Sequence, residues 1–274
     1  MRYVIDHDLH IHSHLSACSN DPEQHVQRIL QYGVENNLKR LCITDHFWEK
    51  AIPGGDFYST ERDGRFRWGD LEWTRRNLPL PQAEGTRFYF GGEADMDENH
   101  VIGITKESAE TLDFLIVPNT HMHIIGLPRN LTEKEELQQR KEVFLHRWNV
   151  ILESGLPYHK MGLAHITCDL AATSVERCLK LWDSITDDEY KSFFSRTEKL
   201  GMGVEINEEP EGYSAEDLPR ILRVYKLAIE AGCHFYFGSD AHHPIRFSQS
   251  MKRFNTMVDL LHLEEDQKFC PFKD

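Results

Sequence analysis

Asp8-Leu9-His10-Ile11-His12 is the stretch from which the rest of the chain can be read. In an extended segment successive side chains point to opposite faces, so His10 and His12 share one face and Leu9 and Ile11 the other. At about 3.3 Å of rise per residue, the two imidazoles stand about 7 Å apart along the strand, close enough to grip one ion. The plain alternative is two surface histidines on an edge strand.

The same arrangement recurs down the chain. Arg2 to Leu9 is strand-like, and short apolar runs at Lys39–Thr44, Arg87–Gly91, Asp113–Val117, Met161–Ala164, Met202–Ile206 and His234–Phe237 read as further strands. Helical patterns at 132–154, 186–200, 215–231 and 246–262 separate the later ones. Asp21-Pro22-Glu23 opens an earlier helix, with Asp as cap, Pro at the first position and an apolar stripe of Val26, Ile29, Leu30 and Val34. Strands alternating with helices argue for parallel βα units. Residues able to do chemistry stand at nearly every strand end: His10 and His12, Asp45 and His46, Glu93, His121 and His123, His165, Asn207, then Asp240 and His242. In a βα barrel those ends converge on one rim. An open doubly wound sheet would concentrate its site at one switch point. The expected fold is therefore α/β, a closed or nearly closed TIM-like barrel, with its site at the C-terminal rim of the strands.

Residues 47–81 interrupt the alternation. Pro53-Gly54-Gly55, a cluster of aromatics (Phe47, Trp48, Phe57, Tyr58, Phe66, Trp68, Trp73) and several arginines mark a long insertion. It should hold a short helix near 69–77 and close over the site as a lid.

Composition bounds the function. A chain of 274 residues, 40% hydrophobic and 28% charged, suits one barrel domain covering 1–274. No apolar run is long enough to span a bilayer, and Asp6, His7 and Asp8 interrupt any signal core at once, so a cytoplasmic location is expected. Cys18, Cys42, Cys168, Cys178, Cys233 and Cys270 form no CxxC pair and read as reduced thiols. The net charge of −14 argues against a broad nucleic-acid surface. It leaves a small phosphate ester open, because bound metal ions can reverse the local sign within a cleft. Metal binding would account for the 16 histidines, as would a histidine-rich surface.

His10-x-His12, Thr44-Asp45-His46, Gly92-Glu93-Ala94-Asp95, the isolated His165 and Gly238-Ser239-Asp240-Ala241-His242 together resemble, in order and spacing, the motif set of the polymerase and histidinol phosphatase (PHP) family. Each motif alone is weak; the ordered set is specific and covers essentially the whole chain. The resemblance implies a distorted (β/α)7 barrel carrying two or three divalent metal ions, most often in phosphoesterases. Length and the aromatic insertion look closest to the histidinol-phosphatase-like branch. By resemblance, His10, His12, Glu93 and Asp240 would hold one metal. Glu93 would bridge to a second, held also by His121 and His165, with His121 fitting the motif better than His123. His46 and His242 would hold a third, with a residue from the loop after His12. Imidazole and carboxylate donors suit Zn, Mn or Fe.

The loop after His12 departs from the family pattern. It reads Ser13-His14-Leu15-Ser16-Ala17-Cys18-Ser19-Asn20-Asp21, with Asn20 nearest the usual histidine. Asn is a poor ligand beside His. Asp21 could substitute or simply cap a helix, and Cys18 is a further candidate. Asp45 is either an orienting partner of a ligand or a turn residue, and Asn207 either a substrate contact or a turn Asn.

The expected reaction is hydrolysis of a small phosphate monoester, histidinol phosphate or a similar metabolite, which would place the enzyme in histidine biosynthesis. A metal-bridging hydroxide would attack phosphorus in line, with Glu93, Asp240 and His242 as the catalytic set. Arg62, Arg65, Arg67, Lys160 and Arg246 are candidates to clamp the phosphate, and Asn207 to touch substrate. The alternatives are a nucleotide phosphodiesterase or nuclease, and a non-catalytic metal-binding module. The acidic balance speaks against long polymers, and the near-complete ligand set against the module. The expected partner is a small phosphorylated metabolite, with no membrane; the charge disfavours nucleic acid but leaves mononucleotides open.

Overall fold

The strand Phe114–Pro118 shows how the layers arise. Phe114 and Ile116 pack in one apolar cluster with Leu9, Cys42, Ala164, Tyr236 and Phe269, while their neighbours Leu115 and Val117 join a separate, larger one. The first cluster fills the inside of a barrel and the second lies between barrel and helices. Period-2 alternation with both faces apolar is what a parallel sheet covered by helices requires.

The structure, a computed structural model, describes residues 1–19, 21–60, 68–125 and 131–272. Its strands are β1 (His7–Ile11), β2 (Arg40–Ile43), β3 (His46–Phe47), β4 (Arg87–Ala94), β5 (Phe114–Pro118), β6 (Met161–Ala164), β7 (Gly203–Ile206) and β8 (His234–Phe237). The order is β1-β2-β4-β5-β6-β7-β8, with the short β3 attached to β4, and the pairings are parallel. The ring nearly closes between β8 and β1. Ile11 bridges Ala241, the Asp240 N–H donates to His10 O at 2.8 Å, and the His12 N–H donates to Ala241 O at 3.1 Å. Nearer the other end, side chains span the gap: the Phe237 N–H donates to His7 Nε2 at 3.1 Å, and the Tyr3 hydroxyl donates to Phe235 O at 2.8 Å.

The helices are α1 (Val26–Glu35), α2 (Gly55–Tyr58), α3 (Leu71–Thr74), α4 (Lys106–Thr111), α5 (Glu133–Glu153), α6 (Val175–Ser184), α7 (Asp187–Lys199), α8 (Leu218–Glu230) and α9 (Phe247–Leu261). Thr132 and Thr186 start α5 and α7 with capping boxes, each reciprocated by a Glu three residues on. None of the helices in the described residues is long and apolar enough to cross a membrane.

Some local expectations need correction. Asp21-Pro22-Glu23 is a turn, in which the Glu23 N–H donates to Asp21 Oδ1 at 2.9 Å; α1 starts later, where His25 Nδ1 accepts from the Arg28 N–H at 3.1 Å. The first strand begins at His7, because Arg2 instead bridges Glu264 in antiparallel fashion. Leu9 joins the barrel interior and Ile11 the outer layer, a split of the expected shared face. It accompanies a register shift between Asp8 and Ile11 against β2.

Candidate metal centre

Register brings the first donors together. His46 in β3 lies directly opposite Glu93 in β4. His10 in β1 and His12 just past its end have their Nε2 atoms 3.0 Å apart. Both nitrogens approach the same two oxygens: Asp240 Oδ1 at 3.3 and 3.0 Å, and Glu93 Oε2 at 3.2 and 3.3 Å. Donors held about 2.0–2.1 Å from a tetrahedral ion stand about 3.3–3.4 Å from one another, so these spacings suit a common cation. The other Glu93 oxygen faces elsewhere. Oε1 lies 3.2 Å from His165 Nε2 and 3.9 Å from His121 Nε2. A third group unites donors of His12, Cys18, His46 and His242, all within 4.8 Å of one another.

Most of these rings are fixed by their other nitrogen. Nδ1 of His10 meets Glu205 Oε1 at 2.7 Å, Nδ1 of His12 meets Ser16 Oγ at 3.2 Å, and Nδ1 of His121 meets Asp95 Oδ1 at 2.7 Å. Nδ1 of His165 meets Thr120 Oγ1 at 2.9 Å, and Nδ1 of His242 donates to the Asp240 carbonyl at 2.8 Å. With Nδ1 carrying the proton toward these acceptors, the Nε2 lone pairs point at the centre, the tautomer a metal ligand needs. His46 differs. Its Nδ1 is 2.8 Å from Asp95 Oδ2 and 3.4 Å from Glu93 Oε2, yet neither this nitrogen nor Asp95 Oδ2 has an aligned hydrogen bond. Two buried polar atoms that converge without a hydrogen bond fit a cation held between side chains.

Charge at the rim points the same way. Burial disfavours ionisation of Glu93, but His46 and His10 overcome it and hold its pKa well below the usual range. His10 and His242 do the same for Asp240 against its burial. Burial likewise opposes protonation of His10, yet Glu205, Asp240 and Glu93 push its pKa up to about 10. His121, by contrast, is lowered by burial and is the more neutral ring. Backbone conformation is spent here too. His165 and Asp240 have φ of +26° and +50°, which costs a non-glycine residue on the order of 1–3 kcal/mol each. At His165 the Glu205 carboxylate accepts the backbone N–H at 2.6 Å and Thr120 Oγ1 reaches the carbonyl at 3.3 Å, holding this turn.

The structure thus brings His10, His12, His46, Glu93, His121, His165, Asp240 and His242 into one rim cluster. His123, itself exposed, follows His121 on a 3-10 turn, its ring 5.6 Å from that of His121. Asp45 does not orient His46: its carboxylate accepts from the Ser13 N–H at 2.5 Å, the Ser13 hydroxyl at 2.7 Å and Asn77 Nδ2 at 2.8 Å, knotting the loop after His12 to the insertion. The insertion also reaches this loop through Trp73, whose Nε1–H donates to Leu15 O at 2.8 Å, and the Trp68 ring lies 5.2 Å from that of His46.

Asn207 and Arg246 line a cleft of about 390 Å³ beside Asp240, together with Glu208, Glu209, Tyr213 and Arg253. Arg246 pairs there with Glu209, and Arg253 joins the same carboxylate at 2.6 Å. Lys160 is a correction. It precedes β6, at the opposite end from the cluster, and its Nζ donates to Glu110 O at 2.8 Å and Leu112 O at 2.9 Å. Arg62, Arg65, Arg67 and Asn20 lie outside the described residues.

Sequence reasoning missed the roles of Asp95, Glu205, Thr120 and Arg253. Two signals were present. Glu205 is a carboxylate flanked by Val204 and Ile206 in a wholly buried strand, which demands a partner. Asp95 follows Glu93 by two residues, the spacing that returns to the same face.

No family model matches the chain, and no curated protein does. Among solved structures, a triazine hydrolase variant aligns over 90% of this chain and 65% of its own at 11% identity, with a TM-score of 0.40. Histidinol phosphate phosphatase from Lactococcus lactis subsp. lactis Il1403, complexed with Zn, L-histidinol and phosphate, aligns over 95% of both chains at 17% identity, with a TM-score of 0.59. That likeness is one of fold: both chains form, over nearly their full lengths, the same nearly closed barrel of parallel strands ringed by helices.

Proposed function

We propose that the chain is a metal-dependent phosphoesterase that hydrolyses a small phosphate monoester, with histidinol phosphate as the leading substrate. The observation that carries this reading is Glu93. Its Oε2 faces His10 and His12 while its Oε1 faces His165, the posture of a carboxylate shared by two ions. In this reading His10, His12, Asp240 and Glu93 hold one ion, and Glu93, His121 and His165 a second. His46 and His242 belong to a third group. Divalent ions about 3.5–4 Å apart, when bound, lower the pKa of water and screen phosphoryl oxygens.

The protein's own groups do the rest. Glu205, Thr120 and Asp95 hold the imidazoles in one orientation, so the donors need not reorganise. Asp240 stands between the cluster and the cleft with its side chain 29% exposed; as a carboxylate it would take a proton from the attacking water and pass it to the departing alkoxide. Arg246 and Asn207 line the cleft where the ester would lie, and Arg253 adds a second cation. Of the described part of the insertion, Trp68 stands against the His46 ring and Trp73 is tied to Leu15, which supports its reading as a cover for the site. The fold shared with a phosphatase that binds Zn, L-histidinol and phosphate supports this assignment.

The test compares p-nitrophenyl phosphate, bis(p-nitrophenyl) phosphate and histidinol phosphate on protein reconstituted with Zn or Mn. Monoester turnover with histidinol phosphate preferred is expected. Faster bis-ester cleavage would make the chain a diesterase, and no turnover despite bound metal would make it a binding module.

A further inference from the structure

We infer that Cys18 is a metal ligand, forming with His46 and His242 a nitrogen–sulfur site beside the nitrogen–oxygen pair bridged by Glu93. The inference rests on the metal-centre reading above and deepens it.

Three observations carry it. First, the Cys18 sulfur belongs to the group whose donors all lie within 4.8 Å of one another, with His12, His46 and His242. The His12 Nε2 already points to Asp240 and Glu93, which leaves the sulfur and two imidazoles to share a separate ion. Second, Ser16 ties the sulfur to two of the imidazoles. Its Oγ accepts the His46 backbone N–H at 3.3 Å and lies 3.2 Å from His12 Nδ1 and 3.1 Å from Cys18 Sγ, which fixes the sulfur beside these rings. Third, Asp21, the carboxylate in the same loop, is engaged elsewhere: Oδ2 pairs with His243 Nδ1 at 2.9 Å and Oδ1 accepts the Glu23 N–H.

The donor chemistry then divides the metals. A thiolate with two imidazoles prefers Zn and other thiophilic ions, whereas the carboxylate-rich pair also accommodates Mn. Cys18 is also exposed, on a second cleft lined by Asp21, Pro22, His242 and His243, so reagents that capture thiols would reach it, as they would the exposed Cys270.

The test is Co(II) titration of the stripped full-length protein, read by absorption and by ions per chain. Wild type should develop a near-ultraviolet sulfur-to-cobalt charge-transfer band. Cys18→Ser should lose that band and one ion per chain while retaining the visible bands of the Glu93 pair. Cys168→Ser, at a thiol in the other cleft, should keep the band and every ion. Zn should protect Cys18 from iodoacetamide in the wild type. Cobalt bound without the band in wild type would overturn the inference and leave the proposed function standing. A band that survives Cys18→Ser would overturn it equally. No bound cobalt at all would remove both the inference and the metal-centre reading beneath it.

Discussion

The two ends of the barrel are made by the same strands and solve the burial of charge in opposite ways. At the N-terminal end Asp6 is met by the chain's own cations, Lys268 at 3.2 Å and Arg40 at 3.4 Å, and by Nδ1 of the neutral His7 at 3.0 Å. Above it Leu9, Cys42, Phe114, Tyr236 and Phe269 fill the interior, with Tyr89 stacked on Phe272 at the edge. At the C-terminal rim Glu93, Asp95, Glu205 and Asp240 meet imidazoles, and among the described residues no lysine or arginine forms an ion pair with any of them. A buried carboxylate cluster needs positive charge. One end supplies it as lysine and arginine; the other has imidazoles and, in the proposed reading, would take further charge from bound ions.

The largest expected effect breaks the rim. Glu93→Ala removes the shared carboxylate, so both ions of the pair and monoester turnover should be lost together, the latter by more than about a thousandfold, several kcal/mol of transition-state stabilisation. Metal analysis and kinetics on one preparation check this, and turnover retained with metal lost would contradict it. Glu205→Gln comes next. Its amide cannot accept at both ends, so either His10 or the His165 N–H loses its partner. Metal affinity should fall about 10–100-fold, read by competition with a chelator.

The opposite end sharpens the comparison. Lys268→Met should destabilise the fold by about 1–3 kcal/mol without changing metal content or turnover. Burial raises the Asp6 pKa, but His7 and Lys268 outweigh it and hold the group below its usual value. A carboxylate lowered in the folded state contributes its full stability above its unfolded pKa and loses it as pH falls. The gap between Lys268→Met and wild type in urea melts should therefore be full at pH 7 and narrow below about pH 4. Smallest is Asn77→Ala, which cuts the knot with Asp45 and Ser13. It should cost about 1 kcal/mol of stability and leave metal content intact, separating structural polar groups at the rim from those that hold ions.

Much of this was legible because strand periodicity is local. Position at strand ends singled out His10, His12, His46, Glu93, His121, His165, Asp240 and His242 together with Asp45, His123 and Asn207, and the family resemblance chose the eight from that set. What stayed hidden depends on distant partners. Glu205 acts on His10, which stands at the other end of the sequence, and Asp95 reaches His46 and His121 from adjacent strands. Lys160 was misplaced because it precedes its strand where a rim residue must follow one. Helix α6 escaped notice between two loops although its charged and apolar residues segregate well, and the start of α1 was misread because Asp-Pro-Glu serves a turn as readily as a helix.

The central claim is that one glutamate joins two ions. Anomalous diffraction from crystals grown with Zn tests it most directly. The account predicts two peaks about 3.5–4 Å apart, one contacting Glu93 Oε2 with His10 and His12, the other Oε1 with His165. A single peak, or zinc sites that leave Glu93 untouched, would contradict it.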